Sequence, residues 1–155
     1  ACSECNTFKG DDVLDKNGEI FTINFYTDSL PDVRYLFAHI IPIKGGIQFK
    51  YYLNNRNSID RNLYALIERH FDRYHLIDRY YNKALQELSN IENYFKFEEI
   101  ATEADYNNAA NKLIRKTDDD AIAYGKNHWR IVLHYDAAAS PAFKSYIMTR
   151  LNLNP

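Results

Sequence analysis

A long helical pattern dominates the sequence between residues 58 and 95. Apolar, aromatic or histidine side chains recur there at intervals of three and four, which is the spacing of one face of an α-helix. Neither glycine nor proline occurs between Gly46 and Gly125, so no helix-breaking residue interrupts the pattern. The stripe consists of Ile59, Leu63, Leu66, His70, Tyr74, Ile77, Tyr81, Leu85, Leu88, Ile91 and Phe95.

The length of this segment limits how it can fold. One straight helix over residues 58–95 would be about 57 Å long, whereas a domain of 155 residues has a radius of gyration of about 15 Å. We therefore predict a bend near residues 71–75, or two abutting helices. The alternative is an elongated protein whose helix end leans on a partner.

Four segments have the composition of β-strands. Residues 19–27 alternate, with Phe21, Ile23 and Phe25 on one face. Residues 35–43 and 47–53 flank Lys44-Gly45-Gly46, which predicts a hairpin because glycine adopts the positive φ of a tight turn. Residues 129–135 alternate again, which predicts a fourth strand with Trp129, Ile131, Leu133 and Tyr135 on one face.

Further helices are predicted from their start and stop signals. Thr102 and Asp105 resemble a capping box that opens a second helix, Asp118 to Asp120 can begin a short helix ending at Gly125, and Ser140-Pro141 begins a terminal one. The expected fold is α+β, with a small antiparallel sheet of about four strands packed on a long, kinked helix and two or three shorter helices. Residues 1–155 are expected to form a single domain, with residues 1–18 as an irregular N-terminal arm.

Composition narrows the function classes. A formal charge of −2 and a pI near 6.2 argue against binding nucleic acid by bulk electrostatics. No apolar run reaches the roughly 18 residues that a membrane helix needs, so a soluble chain without a membrane span is expected. The motif Cys2-x-x-Cys5 is compatible with a disulfide, half of a metal site or two free thiols. A cytoplasmic protein and a processed secreted or envelope protein both stay open.

The leading functional hypothesis is a noncatalytic protein-interaction or assembly subunit. The helical stripe is wider than one buried face requires, and its tyrosines combine contact area with a polar tip. A basic hairpin adds to this surface, because residues 34–57 carry lysine and arginine but no acid. A protein partner or a homo-oligomer is expected to contact Tyr74, Tyr80, Tyr81, Tyr94, Lys50 and Tyr52.

A small enzyme is the first alternative. A strand over residues 129–135 would place Arg130, His134 and Asp136 on one face, where His39 from another strand could join them. An imidazole beside a carboxylate and a cation suits acid–base or phosphoryl-transfer chemistry. No metal ligand set, phosphate-binding loop or dinucleotide motif is present, so neither a metal nor a cofactor is predicted.

The second alternative is binding of single-stranded nucleic acid by residues 44–56. Lys50, Tyr52 and Arg56 could form a basic, aromatic strip. The segment is only weakly similar to an RNA-recognition strand, because Gly46 and Gln48 occupy the positions of the stacking aromatics.

Overall fold

The computed structural model describes residue 23 and residues 29–151. The predicted arm, residues 1–18, lies outside this part of the chain, and so does the predicted strand at 19–27 apart from Ile23. The side chain of Ile23 is buried in the hydrophobic core.

The hairpin predicted from the glycine turn is confirmed. Strands β1 (Leu36–Ile43) and β2 (Gly46–Leu53) pair antiparallel, with Leu36 opposite Leu53 and Ile43 opposite Gly46. Gly45 takes the positive φ of +81° that the turn requires. Side chains alternate along both strands, so that one face of the hairpin packs on the helices and the other points outward.

The predicted break in the long helical segment is also confirmed. Helix α1 (Arg61–Arg73) ends at Tyr74, and helix α2 (Leu76–Phe97) begins after His75. His75 has the left-handed conformation, with φ 49° and ψ 42°, which an α-helix cannot contain. The chain therefore turns between two helices instead of extending as one rod.

The buried face of α2 differs in part from the predicted stripe. Its buried residues are Leu76, Ala84, Glu87, Ile91 and Phe95. Leu85, which the pattern assigned to the core, is 49% exposed. The core-facing strip thus passes through a small residue and a carboxylate, which an apolar pattern leaves out.

Helix α3 (Glu103–Tyr124) begins with the predicted capping box. The Thr102 side chain accepts a hydrogen bond from the Asp105 amide, and the Asp105 carboxylate accepts one from the Thr102 amide. The separate short helix predicted at residues 118–125 is wrong, because α3 continues without a break to Gly125. Gly125 has φ +85° and ends the helix.

The predicted fourth strand is wrong. Residues 129–138 form helix α4 (Trp129–Ala138), and both sets of the supposed alternation are buried, including Ile131 and Leu133 from one set and Val132 and His134 from the other. A helix covered on most sides loses the polar face that reveals its period. The terminal helix α5 (Pro141–Arg150) begins as predicted, with Ser140 accepting a hydrogen bond from the Phe143 amide.

The described residues thus form an α+β fold of five helices and a two-stranded antiparallel sheet, not the four strands expected. Helix α4 is central, since it packs against β1, α2, α3 and α5. Helices α2 and α5 cover the inner face of the hairpin. None of the helices in residues 29–151 is long and apolar enough to cross a bilayer.

Candidate functional site

A buried polar cluster joins α2 to α4. Glu87 Oε1 lies 2.8 Å from Arg130 Nε and 2.6 Å from His134 Nε2. Glu87 Oε2 accepts a hydrogen bond of 2.9 Å from Asn90 Nδ2. Both Glu87 and His134 are buried in the hydrophobic interior. These four residues form the Glu87 cluster, in which three side chains from two helices satisfy the buried Glu87 carboxylate.

The charges in the Glu87 cluster follow from burial and hydrogen bonding. Burial alone would raise the pKa of Glu87, but hydrogen bonds from His134, Asn90 and Arg130 outweigh it and hold the pKa below its usual value. Burial lowers the pKa of His134 by more than the nearby carboxylate raises it. At neutral pH a charged Glu87 therefore pairs with Arg130, while a neutral His134 donates its Nε2 hydrogen.

Within the Glu87 cluster, Glu87 and His134 are turned inward, whereas the Arg130 side chain is 43% exposed. A carboxylate beside an imidazole can carry out proton transfer when a substrate reaches it. Here Glu87 Oε1 is directed at the imidazole Nε2, and Glu87 Oε2 accepts a hydrogen bond from Asn90. Three surface grooves, of about 390, 500 and 510 Å³, are lined by other residues. The geometry is that of a structural ion pair between helices.

The residues of the catalytic hypothesis are divided between different places. Arg130 and His134 both contact Glu87. Asp136 follows His134 by two positions on a helix, so the two side chains leave α4 on different sides. His39 lies on the outward face of β1 and is exposed. The backbone of residues 129–138 is helical and not extended, and this separates Asp136 from Arg130 and His134.

Asp136 binds the hairpin to α4. Its Oδ2 atom accepts a hydrogen bond of 2.6 Å from the Ala38 amide and one of 2.7 Å from Arg34 Nη2. Nearby, the buried Tyr51 hydroxyl donates to the Trp129 carbonyl at 2.8 Å. These bonds fix β1 and β2 on α4 and so set the direction of the outer surface of the hairpin.

The outward surface of the hairpin collects basic and aromatic side chains. His39 pairs with Lys50 and Phe37 with Tyr52 across the two strands. Residues opposite one another in an antiparallel pair have Cβ atoms about 5 Å apart, so these side chains are neighbours. The Arg56 guanidinium lies 3.6 Å from the centre of the Phe37 ring. The outer hairpin face is defined by Phe37, His39, Gln48, Lys50, Tyr52 and Arg56.

The two predicted interface residues on the hairpin are accessible. Lys50 is exposed, and Tyr52 is 38% exposed, with its ring centre 5.8 Å from that of Phe37. Phe37 itself is almost fully covered, because Arg34 and Arg56 both lie over its ring. One open aromatic ring and several cations therefore remain on this face.

The four tyrosines predicted as a helical interface make contacts within the chain. Tyr74 is buried at the junction of α1 and α2. Tyr80 lies edge-on to Tyr51 and Phe71, and Tyr81 lies 5.0 Å from Phe49, measured between ring centres. The Tyr94 hydroxyl donates to the Ala109 carbonyl. The hairpin and α3 thus cover much of the apolar excess that suggested a second chain.

The sequence pattern did not predict Glu87 as a site residue. Its partners Arg130 and His134 are 43 and 47 residues away, too far for any local spacing to relate them. One signal was present, since Glu87 lies three residues after Ala84 and four before Ile91. A lone carboxylate on an otherwise apolar helical strip indicates a buried partner.

Among residues 23 and 29–151, no group of histidine, cysteine, aspartate and glutamate side chains is arranged to hold a metal ion. Cys2 and Cys5 lie outside the described residues.

Comparisons with known proteins assign no function to this chain. No protein-family model matches the chain, and neither a curated protein nor a solved structure is significantly similar to it.

Proposed function

We propose that this chain is a noncatalytic protein-interaction subunit that binds an acidic segment of a partner protein on the outer hairpin face. The observation that carries the proposal is the grouping of Lys50, Tyr52 and Arg56 on one exposed surface of a hairpin held firmly by α4. The proposal keeps the hairpin part of the predicted contact surface. The tyrosines on the helices contribute to the support behind it.

Charge supports an acidic partner. Residues 34–57 contain no aspartate or glutamate, although the whole chain has a formal charge of −2. The hairpin and its flanks therefore carry a local excess of positive charge in a chain that is negative overall. A local patch of one sign selects a partner segment of the opposite sign and speeds its approach.

The arrangement of the side chains supports a contact surface that is already formed before binding. The Tyr52 ring lies against Phe37, and the Arg56 guanidinium lies over the Phe37 ring. Tyrosine and arginine are enriched where proteins bind one another, because each offers a large contact area together with hydrogen-bond donors. Side chains that are already ordered lose less conformational entropy on binding.

A protein ligand fits this face better than a single-stranded nucleic acid does. Stacking of successive bases needs several open rings, whereas Tyr52 is exposed and Phe37 is covered. Lys50 and Arg56 are the lysine and arginine of the outer hairpin face, and two such cations release few counterions from a polyanion. Binding measurements with an acidic peptide and with an oligothymidylate distinguish the two ligands.

The proposal is tested by fluorescence anisotropy with a labelled peptide of alternating aspartate, leucine and tyrosine. We expect the peptide to bind through charge attraction and ring contacts. The Lys50→Glu substitution should weaken this binding by about tenfold, a difference of about 1.4 kcal/mol. Lys116→Glu makes the same charge reversal on the exposed surface of α3 and should leave the affinity unchanged. A peptide with lysine in place of aspartate should not bind.

Two outcomes would contradict the proposal. Equal binding to the Lys50→Glu and Lys116→Glu variants would show that the outer hairpin face is not the contact surface. Tighter binding of an oligothymidylate than of the acidic peptide, lost in Lys50→Glu, would assign the face to nucleic acid instead.

A further inference from the structure

A second exposed surface, separate from the outer hairpin face, lies at the hairpin turn. A groove of about 510 Å³ runs between the turn and α5. This turn groove is mostly apolar, and its lining includes Ile43, Ile47, Ala142, Ser145, Tyr146 and Arg150. Ile43 remains 52% exposed at its edge. The groove is large enough for one branched apolar side chain and its neighbours.

The rim of the turn groove carries the exposed Lys44, within the turn. At the other end of the groove the Arg150 side chain is 57% exposed and lies 4.0 Å from the Glu92 carboxylate. The residues that line the groove include no carboxylate of their own. An occupant with an apolar side chain flanked by acids would match both the surface and the charge.

The end of α3 has this chemistry. Ile122 is 86% exposed. Asp118 and Asp119 lie four and three residues before it, so they share its strip of the helix surface. Asp118 also accepts a hydrogen bond from the Tyr135 hydroxyl of α4, whereas Asp119 is exposed near a helix end that favours cations over acids.

These two surfaces lie at opposite ends of β1. The turn groove follows Ile43, at the end of the strand. The end of α3 lies near the start of the strand, where Asn127 Oδ1 accepts hydrogen bonds from the Tyr35 and Leu36 amides. A strand of eight residues is about 23 Å long. One copy therefore cannot place its own Ile122 in its own groove.

We infer that copies of this chain associate head to tail, with Ile122 of one copy in the turn groove of the next. Asp119 then faces Lys44 at the rim of the groove. Such a contact joins two different surfaces, so each copy keeps one free groove and one free α3 end. Association continues beyond the dimer unless a ring closes. The small contact predicts weak binding, in the range of about 10–500 µM.

The first experiment is the mass of the full chain in solution, measured by light scattering across that concentration range. The mass is expected to rise with concentration and to fall back when salt is raised to about 0.5 M, because exposed charge pairs are screened. Ile122→Asp and Ser145→Glu, at exposed positions of α3 and α5, should each weaken association at least tenfold. A chain that stays monomeric up to about 500 µM would overturn the inference.

Mixing the two variants gives the sharper test. The Ile122→Asp variant retains an intact groove, and the Ser145→Glu variant retains an intact α3 end. An equal mixture should form a dimer that grows no further, although each variant alone is monomeric. A mixture that remains monomeric, or that assembles as far as the unsubstituted chain does, would contradict a head-to-tail contact.

Three control variants separate this contact from other surfaces. Ser89→Glu repeats the serine-to-glutamate change at an exposed position of α2, and Phe97→Ser removes another highly exposed apolar side chain. Lys50→Glu alters the outer hairpin face. All three should associate like the unsubstituted chain. Loss of association in Phe97→Ser would assign the contact to α2, and loss in Lys50→Glu would assign it to the outer hairpin face.

Discussion

Replacing Glu87 with glutamine tests the structural role assigned to the Glu87 cluster. Removing one partner of a buried ion pair costs about 3–5 kcal/mol. The cost should be smaller here, because the Arg130 side chain is 43% exposed and can turn toward water. The glutamine amide can also keep one hydrogen bond. We expect a loss of about 2–3 kcal/mol, and hence a Tm lower by about 4–12 °C for a chain of this length.

The assay is equilibrium unfolding in urea followed by circular dichroism, at neutral pH and in acid. Because the folded-state pKa of Glu87 is lowered, its stabilisation is present above the unfolded-state pKa and is lost as pH falls through the folded-state value. The Glu87→Gln variant should lack that part of the acid dependence. Glu68→Gln, on the exposed side of α1, is the control. A loss below about 0.5 kcal/mol for Glu87→Gln would refute the structural role.

Two further perturbations test the packing of the hairpin and of α1. Asp136→Ala should cost about 2–3 kcal/mol in urea unfolding, because Ala38 and Arg34 lose their acceptor, whereas Asp136→Asn should cost less; equal costs would contradict the assignment. Burial lowers the pKa of His70 from 6.5 to about 4, so its contribution is present above pH 6.5 and falls, by at most about 3 kcal/mol, as pH drops toward 4. His70→Gln should reduce this pH dependence, and the exposed His39→Gln should not.

Local signals in the sequence identified much of the secondary structure. The glycine turn predicted the hairpin, the capping box predicted the start of α3, and Ser140-Pro141 predicted the start of α5. Each depends on residues within a few positions of one another. The bend near residues 71–75 was predicted from length alone, because one helix would have been longer than the globule.

Features set by tertiary contacts were not predictable in the same way. The sequence of α4 predicted a strand, because burial of this helix on most sides leaves it without the polar face that marks a helical period. Three consecutive alanines at residues 137–139 were the available signal for a helix. The Glu87 cluster depends on two helices meeting, and the mistaken strand placed Arg130 and His134 with Asp136 instead of with Glu87.

Nuclear magnetic resonance mapping of the acidic peptide on the chain tests the central claim most directly. If the outer hairpin face is the contact surface, the largest amide shifts on titration will occur around His39, Lys50, Tyr52 and Arg56. The amides around Ile122 and Ser145 should remain unchanged. Shifts concentrated at those two positions, or spread evenly over the helices, would contradict the proposed function.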